Sequence, residues 1–461
     1  MLPRDHSIVE SIEKVDQLFS GSDIIIIAVE SDSLLNNPKT LEKLSSFQDS
    51  LEAMPLISRV TSIFNQKHII PTDDGFKIEP LLTGYPVDSS DYFTFLDKLN
   101  KSGVIENLIS KDYTKMCFIG QINSSFDFDE FEFRKDINNL VDQFSYPEEF
   151  FVSSLPITQA TIVDNMQRDM RVFTPIAIGL GIFLLMLSFR SWTGVFLPFF
   201  VVGFSIIWTF GIMGWLNMSM AFIGTLIPVM LIAIANNYGI HIISHYFEYS
   251  KSDTSSTRGQ ILRKTIRKVG IPILLAGLTT IISFLSLFTH ALPRAREMGL
   301  LISFGILVSF ILSIFLIPSV LVLVSRPHYI TKEKSMTTIN NFLVGMAKYF
   351  TLYRIPVLVS FSILCMLVSI GIKDLKVDTN PDNYFPESSK LRIANTKIGE
   401  AFGGSTQMSI LIEGDIYDPK ILKDIELLTN HIKNKFDIVT KTYSISEVIK
   451  KMNAGCNGGK S

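Results

Sequence analysis

The sequence predicts a membrane-embedded bundle of six helices joined to soluble layers of mixed helix and strand. Three observations carry this. Residues 173–243 hold one arginine and one histidine and no Asp, Glu or Lys. The stretches outside the apolar region alternate short β-branched runs with amphipathic helical patterns. The first and last soluble stretches also repeat one another at a nearly constant offset.

The first soluble stretch, residues 1–170, divides into two strand–helix–strand units. SDIIIIAVES reads as a buried strand, PKTLEKLSSFQDSLEAM as a helix opened by proline, and ISRVTSIF as a second strand. KMCFIGQIN, DEFEFRKDINNLVDQF and EFFVSS repeat that order. Apolar residues alternate or run unbroken in the strands and recur at three to four in the helices. Two such units predict a split β-α-β, ferredoxin-like α+β layer. Between them, residues 65–112 carry PTDDG and TGYP turn signals and read as an irregular insertion.

The membrane part, residues 171–372, contains six apolar runs: 173–189, 193–216, 220–243, 271–292, 299–324 and 355–372. A helix needs about 20 apolar residues to cross a bilayer. The third run places Asn236, Asn237, Tyr238 and His241 in its inner half. Polar side chains at that depth are costly and mark function or helix–helix contact. Thr279 and Thr280, in the fourth run, can join this cluster or bond back to their own helix. His241, His245 and Glu248 share a helix face, which also admits a metal reading.

Orientation follows from basic residues in the short loops. One side carries Arg190, Lys251, Arg258, Arg263, Lys264, Arg267, Lys268, Arg326, Lys332, Lys334, Lys348 and Arg354, the other only Arg294 and Arg296. The basic side is cytoplasmic, so residues 1–170 and 373–461 lie outside. Ile261, Leu262, Thr265, Ile266 and Val269 fall on one helical face opposite four basic residues, which predicts a helix lying in the headgroup zone or a solvated connector. A net charge of −2 over 461 residues argues against nucleic-acid binding. Three distant cysteines, Cys117, Cys365 and Cys456, form neither a disulfide framework nor a CxxC pair. The tail AGCNGGKS loosely matches a phosphate loop without the strand and helix that such a loop needs. No cofactor and no catalytic set is expected.

Residues 2–32 align with residues 385–415. Pro3 matches Pro386, Phe19 matches Phe402, Gly21 matches Gly404 and Glu30 matches Glu413, each 383 positions on. Pro38 and Leu41 then match Pro419 and Leu422. A repeat that encloses a helical bundle and a soluble domain is the pattern of a duplicated transporter. The chain resembles the RND superfamily of transporters, in the branch that includes MMPL-type lipid exporters and sterol-sensing-domain proteins. The resemblance rests on PVMLIAIANNYGIHIISHYFE, GIPILLAGLTTIISFLSL and REMGLLISFGILVSFILSIFLIPSVLVLV, in that order.

That resemblance implies porter domains outside the membrane, a homo-oligomer among lipids in a bacterial inner membrane, and efflux of hydrophobic or amphiphilic substrates on an ion gradient. Residues 373–461 would begin a second porter-like domain, and the chain would be the middle of a protein about twice its size. A sterol-sensing-like receptor that binds lipid without pumping is the alternative, and a SecD/SecF-type export auxiliary a more distant one. The family's membrane aspartate aligns with Asn237, and an amide cannot carry a proton. The cluster therefore reads either as an ion pathway relying on His241 or as a set of polar ties between helices.

Overall fold

A computed structural model describes the chain except residues 1–6, 20–22, 33, 36, 73–74, 83, 87–88, 103–106, 124–127, 219–223, 254, 324–336, 376–380, 405–407, 417, 437–438 and 457–461. Outside the described residues therefore lie Pro3 and Gly21 of the repeat, the end of the phosphate-loop-like tail and the loop with Arg326, Lys332 and Lys334. The chain is mostly helical and forms two compact units. Arg4–Thr161 joins Asp378–Ser461 in one, and Ile162–Val377 makes up the other.

The first unit is built on a four-stranded antiparallel sheet. Its strands are β1 (Ile24–Glu30), β2 (Ile57–Thr61), β5 (Lys115–Ile122) and β6 (Glu149–Ser154), in the order β2-β5-β1-β6. β1 is central, which is why its Ile-rich run need not alternate: five consecutive residues, Ile25 to Val29, are buried. Helices α2 (Pro38–Glu52) and α4 (Glu130–Phe144) pack together. Each begins at a side-chain cap, Asn37 accepting from the Lys39 amide and Asp129 from the Phe131 amide. Phe47 of α2 meets Phe118, Phe144 and Phe150 at ring separations of 5.0–5.4 Å, fixing helix on sheet.

The insertion is more regular than expected. β3 (Lys67–Thr72) and β4 (Gly75–Pro80) form a separate hairpin, followed by helix α3 (Ser89–Ser102). Pro71 within β3 and the polar turn masked the alternation from which a strand is read.

The repeat is partly kept. α1 (Ser7–Phe19) has its counterpart in α12 (Lys390–Phe402), and α2 in α13 (Pro419–Lys435). Among the described residues of the second stretch no strand is formed. Residues 408–413, the match to β1, are in no strand, and α14 (Ile445–Cys456) follows α13. A strand needs a ladder partner, and among the described residues after 413 no segment supplies one. Instead α12 packs along β6 and β1, while α14 packs on the β3–β4 hairpin.

Two ion pairs join the repeats reciprocally. Lys397, the match to Lys14, bonds Glu30, while Lys14 bonds Glu413, the match to Glu30. Lys115 also reaches Glu30, at 3.0 Å, and Lys397 stands 4.5 Å from the Phe151 ring centre. Burial pushes the Glu30 carboxyl up, but hydrogen bonds from Lys397 and Lys115 outweigh it and hold the pKa below the usual value.

The second unit holds α5 (Leu155–Phe189) from Ile162 onward, α6 (Trp192–Trp215), α7 (Ile227–Ser252), α8 (Arg258–Leu285), α9 (Pro293–Leu323), α10 (Thr337–Leu352) and α11 (Arg354–Ile370). Six of these, all but α10, are long and apolar enough to cross a membrane. α6, α7, α8 and α9 pack on one another around Leu231, Tyr246, Ile302, Ile306 and Ile317. α5 and α11 leave nearly all of their apolar surface uncovered, as lipid-facing helices do.

Two helices depart from the sequence reading. α5 starts at Leu155, eighteen residues ahead of its apolar run, because the polar stretch there has no helix breaker after Pro156. The basic segment is no separate in-plane helix. It is the first half of α8, opened by a capping box between Thr257 and Gln260, and its stripe of Ile261, Thr265 and Val269 is buried against the bundle.

Candidate functional site: the polar residues of helix α7

α7 has a buried side and an open one. Leu231, Ala235, Tyr238, Ile242, Tyr246 and Phe247 are buried at three-to-four spacing, the pattern of a helix packed on neighbours. The opposite line of Ala233, Asn237, His241, Ser244 and Glu248 is exposed. Close approach sets the buried side. A side chain at Gly239 would begin 2.8 Å from Ile317, and one at Gly305 of α9 would begin 2.7 Å from the Thr209 hydroxyl. Small residues at such contacts let membrane helices draw together.

Hydrogen bonds then tie α7 to α9. The Ser309 hydroxyl donates to the Ala235 carbonyl and the Tyr246 hydroxyl to the Leu321 carbonyl, both at 3.2 Å. α8 receives the Ser303 hydroxyl on its Ile281 carbonyl, also at 3.2 Å.

The six residues singled out in the sequence fall on different sides of this frame. Successive residues of a helix are rotated by about 100°, so Asn236, Asn237 and Tyr238 cannot face one neighbour. Asn236 is buried, 8% exposed, and its Oδ1 has no hydrogen-bond partner. Tyr238 is 4% exposed, its ring edge-on to Phe310 at 5.9 Å, its hydroxyl without a full hydrogen bond though turned toward Thr280. Asn237 and His241 lie one turn apart on the open line.

Thr279 and Thr280 both donate to carbonyls of their own helix, Leu275 and Ala276 for the first and Ala276 for the second. The structure thus brings together Tyr238 with Thr280, and Asn237 with His241, and separates Asn236 from both pairs. His245 and Glu248 pair with each other at 2.9 Å. Among the described residues no three ligating side chains gather for a metal.

Sequence reading missed a second polar seam. Ser205 and Thr209 on α6 and Ser309 and Ser313 on α9 are each wholly buried. Their spacing of four on each helix was the available signal. The α6 pair donates to its own backbone, while the Ser313 hydroxyl has no partner. Unsatisfied Asn236 Oδ1 and Ser313 Oγ are buried polar atoms of the kind that ordered water or a passing ion satisfies.

Comparison with known proteins agrees with this architecture. The MMPL family pattern matches residues 1–352, which takes in the four-stranded sheet with its helices, five of the six apolar helices and α10. A protein of Methanocaldococcus jannaschii described only as a candidate membrane protein is 23% identical over 347 residues, 71% of this chain and 84% of its own length. With a match over more than half its length, this multi-pass membrane protein belongs to the MMPL family.

Proposed function

We propose that the protein is an RND-type secondary transporter that exports lipids or other amphiphiles from the inner membrane of a bacterium on an ion gradient. Family membership carries the reading. It is supported by the line of Asn237 and His241 on α7, polar groups on an uncovered helix face at bilayer depth. The soluble unit serves as the extracytoplasmic porter, and its strand order, that of a split β-α-β layer, favours a ferredoxin-like origin. Transport, not enzymatic chemistry, is the activity assigned.

Coupling to a gradient requires a group that exists in both protonation states. One charge crossing the membrane potential is worth about 2.3 kcal/mol per 100 mV. Asn237 cannot capture it and His241 can. Reconstituted protein with His241→Gln is expected to lose flux driven by an imposed pH gradient, while Asn237→Ala weakens it only. Undiminished gradient-driven flux in His241→Gln removes this polar line of α7 from coupling. Asn237 in place of a carboxyl favours a second reading, a sterol-sensing-like receptor that binds lipid without pumping. Saturable lipid binding with no net flux under any gradient decides for it.

A further inference from the structure

The repeat puts two helices in matching places with opposite surroundings. α12 is buried along one face, where Leu391, Ala394, Ile398 and Phe402 pack as the helix lies along β6 and β1. The positions 383 residues earlier are Ile8, Ser11, Val15 and Phe19 of α1, and Ile12 joins their apolar stripe. Ile8, Ile12 and Phe19 are nevertheless 52%, 47% and 59% exposed, against 8%, 9% and 7% for Leu391, Asn395 and Phe402.

The segment tied to α1 is open in the same way. Residues 408–413 match Ile25–Glu30 of β1, but Met408, Ile410 and Ile412 are exposed where Ile25, Ile27 and Val29 are buried. The Lys14–Glu413 ion pair joins α1 to this segment, just as Lys397–Glu30 joins α12 to β1. Each repeat thus lends its first helix to the other's first strand position. In one case β6 lies beside that strand and under the helix. In the other, residues 408–413 belong to no described strand.

We propose that α1 and residues 408–413 form a docking surface for an extended polypeptide strand, laid antiparallel to 408–413 and covered by α1 as α12 covers β6. Length fits this occupant. Six extended residues span about 20 Å, and the 13 residues of α1 reach about 20 Å at 1.5 Å each. β6 and α12 already use that proportion, with 6 and 13 residues. Alternation fits as well, since Met408, Ile410 and Ile412 would set an apolar row on one face of the ladder. The pairing of β6 with β1 defines the chemistry of the occupant. Phe151 lies opposite Ala28 and its ring centre is 4.5 Å from the Lys397 ammonium. The matching strand carries an aromatic residue opposite Leu411, beneath Lys14, and apolar residues on both sides of it. Strand addition of this kind takes affinity from ladder bonds and specificity from alternate side chains.

The proposal rests on the repeat rather than on transport, and its test needs no gradient. The full chain in detergent micelles is mixed with a fluorescent peptide EEFFVSS, the sequence of residues 148–154. At a peptide concentration ten times its Kd, alternate amides of 408–413 are expected to exchange about tenfold more slowly. A scrambled peptide of the same composition, which reports partition into the micelle, is expected to leave that exchange unchanged. Replacing the peptide's phenylalanine at position 151 by serine is expected to weaken binding about tenfold, with no variant protein required. The double change Ile410→Pro, Leu411→Pro removes a ladder donor from each edge of an exposed segment and is expected to abolish binding. Ile12→Glu is expected to weaken it about tenfold, while Gln17→Glu, which adds the same charge on the opposite side of α1, leaves it unchanged. Undiminished binding by the double proline variant, or protection at the outer edges of β2 or β6 in place of 408–413, overturns the proposal. Protection of 408–413 that rises with protein concentration alone would make a second copy the occupant and overturn it too.

Discussion

Removing the Glu30 carboxylate should loosen α12 from the sheet. Glu30 is 28% exposed and accepts from Lys397 and Lys115, whose side chains are 35% and 19% exposed. Glu30→Gln leaves two ammonium groups facing each other across an amide. A half-buried pair lies between the roughly 0.2–1 kcal/mol of surface ion pairs and the 3–5 kcal/mol lost when a buried pair is broken, so about 2 kcal/mol is expected. Read by hydrogen exchange, that is about a thirtyfold loss of protection in the α12 amides. Glu413→Gln, at the matching pair, removes a partner that is 64% exposed, and should change protection hardly at all.

pH supplies an independent check of sign. The Glu30 pKa is lowered on folding, so its contribution is present above the ordinary carboxylate value and is lost as pH falls through the folded value. Protection of α12, corrected for intrinsic exchange, should therefore drop on acidification below that range, and should not do so through this group in Glu30→Gln. A change of less than threefold in Glu30→Gln at neutral pH would refute the idea that this carboxylate holds the helix.

Three further outcomes are expected. Gly305→Ala places a methyl 2.7 Å from the Thr209 hydroxyl and 2.8 Å from Leu231, so overpacking of about 1–3 kcal/mol should exceed the helix propensity gained; Gly211→Ala meets nothing within 4 Å and should raise the melting temperature instead. Gly403→Ala forces a side chain onto a left-handed residue, φ +88°, at the end of α12 and against Thr440, and should cost about 1–2 kcal/mol in the local stability of that helix. Impermeant labelling should reach a cysteine placed at Lys420 from outside and one at Lys251 from the cytoplasm only; both reacting from one side would contradict the orientation read from the basic loops.

How much of this was legible depended on how local the cause was. β1, α2, β5, α4 and β6 could be read because each carries its own period and, in the helices, its own cap at Asn37 or Asp129. Apolar runs located the spanning helices but not their ends: α5 extends through a polar stretch and α8 through a basic one, where hydropathy is silent and helix propensity decides. The stretch matching β1 in the second repeat shows the reverse limit. Its residues suit a strand, but pairing is set by neighbours, and residues 408–413 are in no described strand. At the candidate site, composition singled out Asn236, Asn237 and Tyr238 together, while the rotation of α7 sends them to different neighbours. Ser309 and Ser313 escaped notice because serine is unremarkable until a fold buries it.

The docking of α12 on β6 and β1 has a consequence in time. β6 ends at Ser154 and α12 begins at Lys390, 236 residues later. At about 5–20 residues per second, synthesis of that interval takes roughly 10–50 s. Throughout it the β6 flank, with Phe151, waits without the helix that will pack on it, while the intervening membrane segments emerge. The sheet can form early from its own strands, but α12 arrives only after α5 to α11 have been made. Such a delay leaves an apolar surface open to chaperones and to wrong partners. Glu30 on the neighbouring strand is the carboxylate that Lys397 meets when that helix docks.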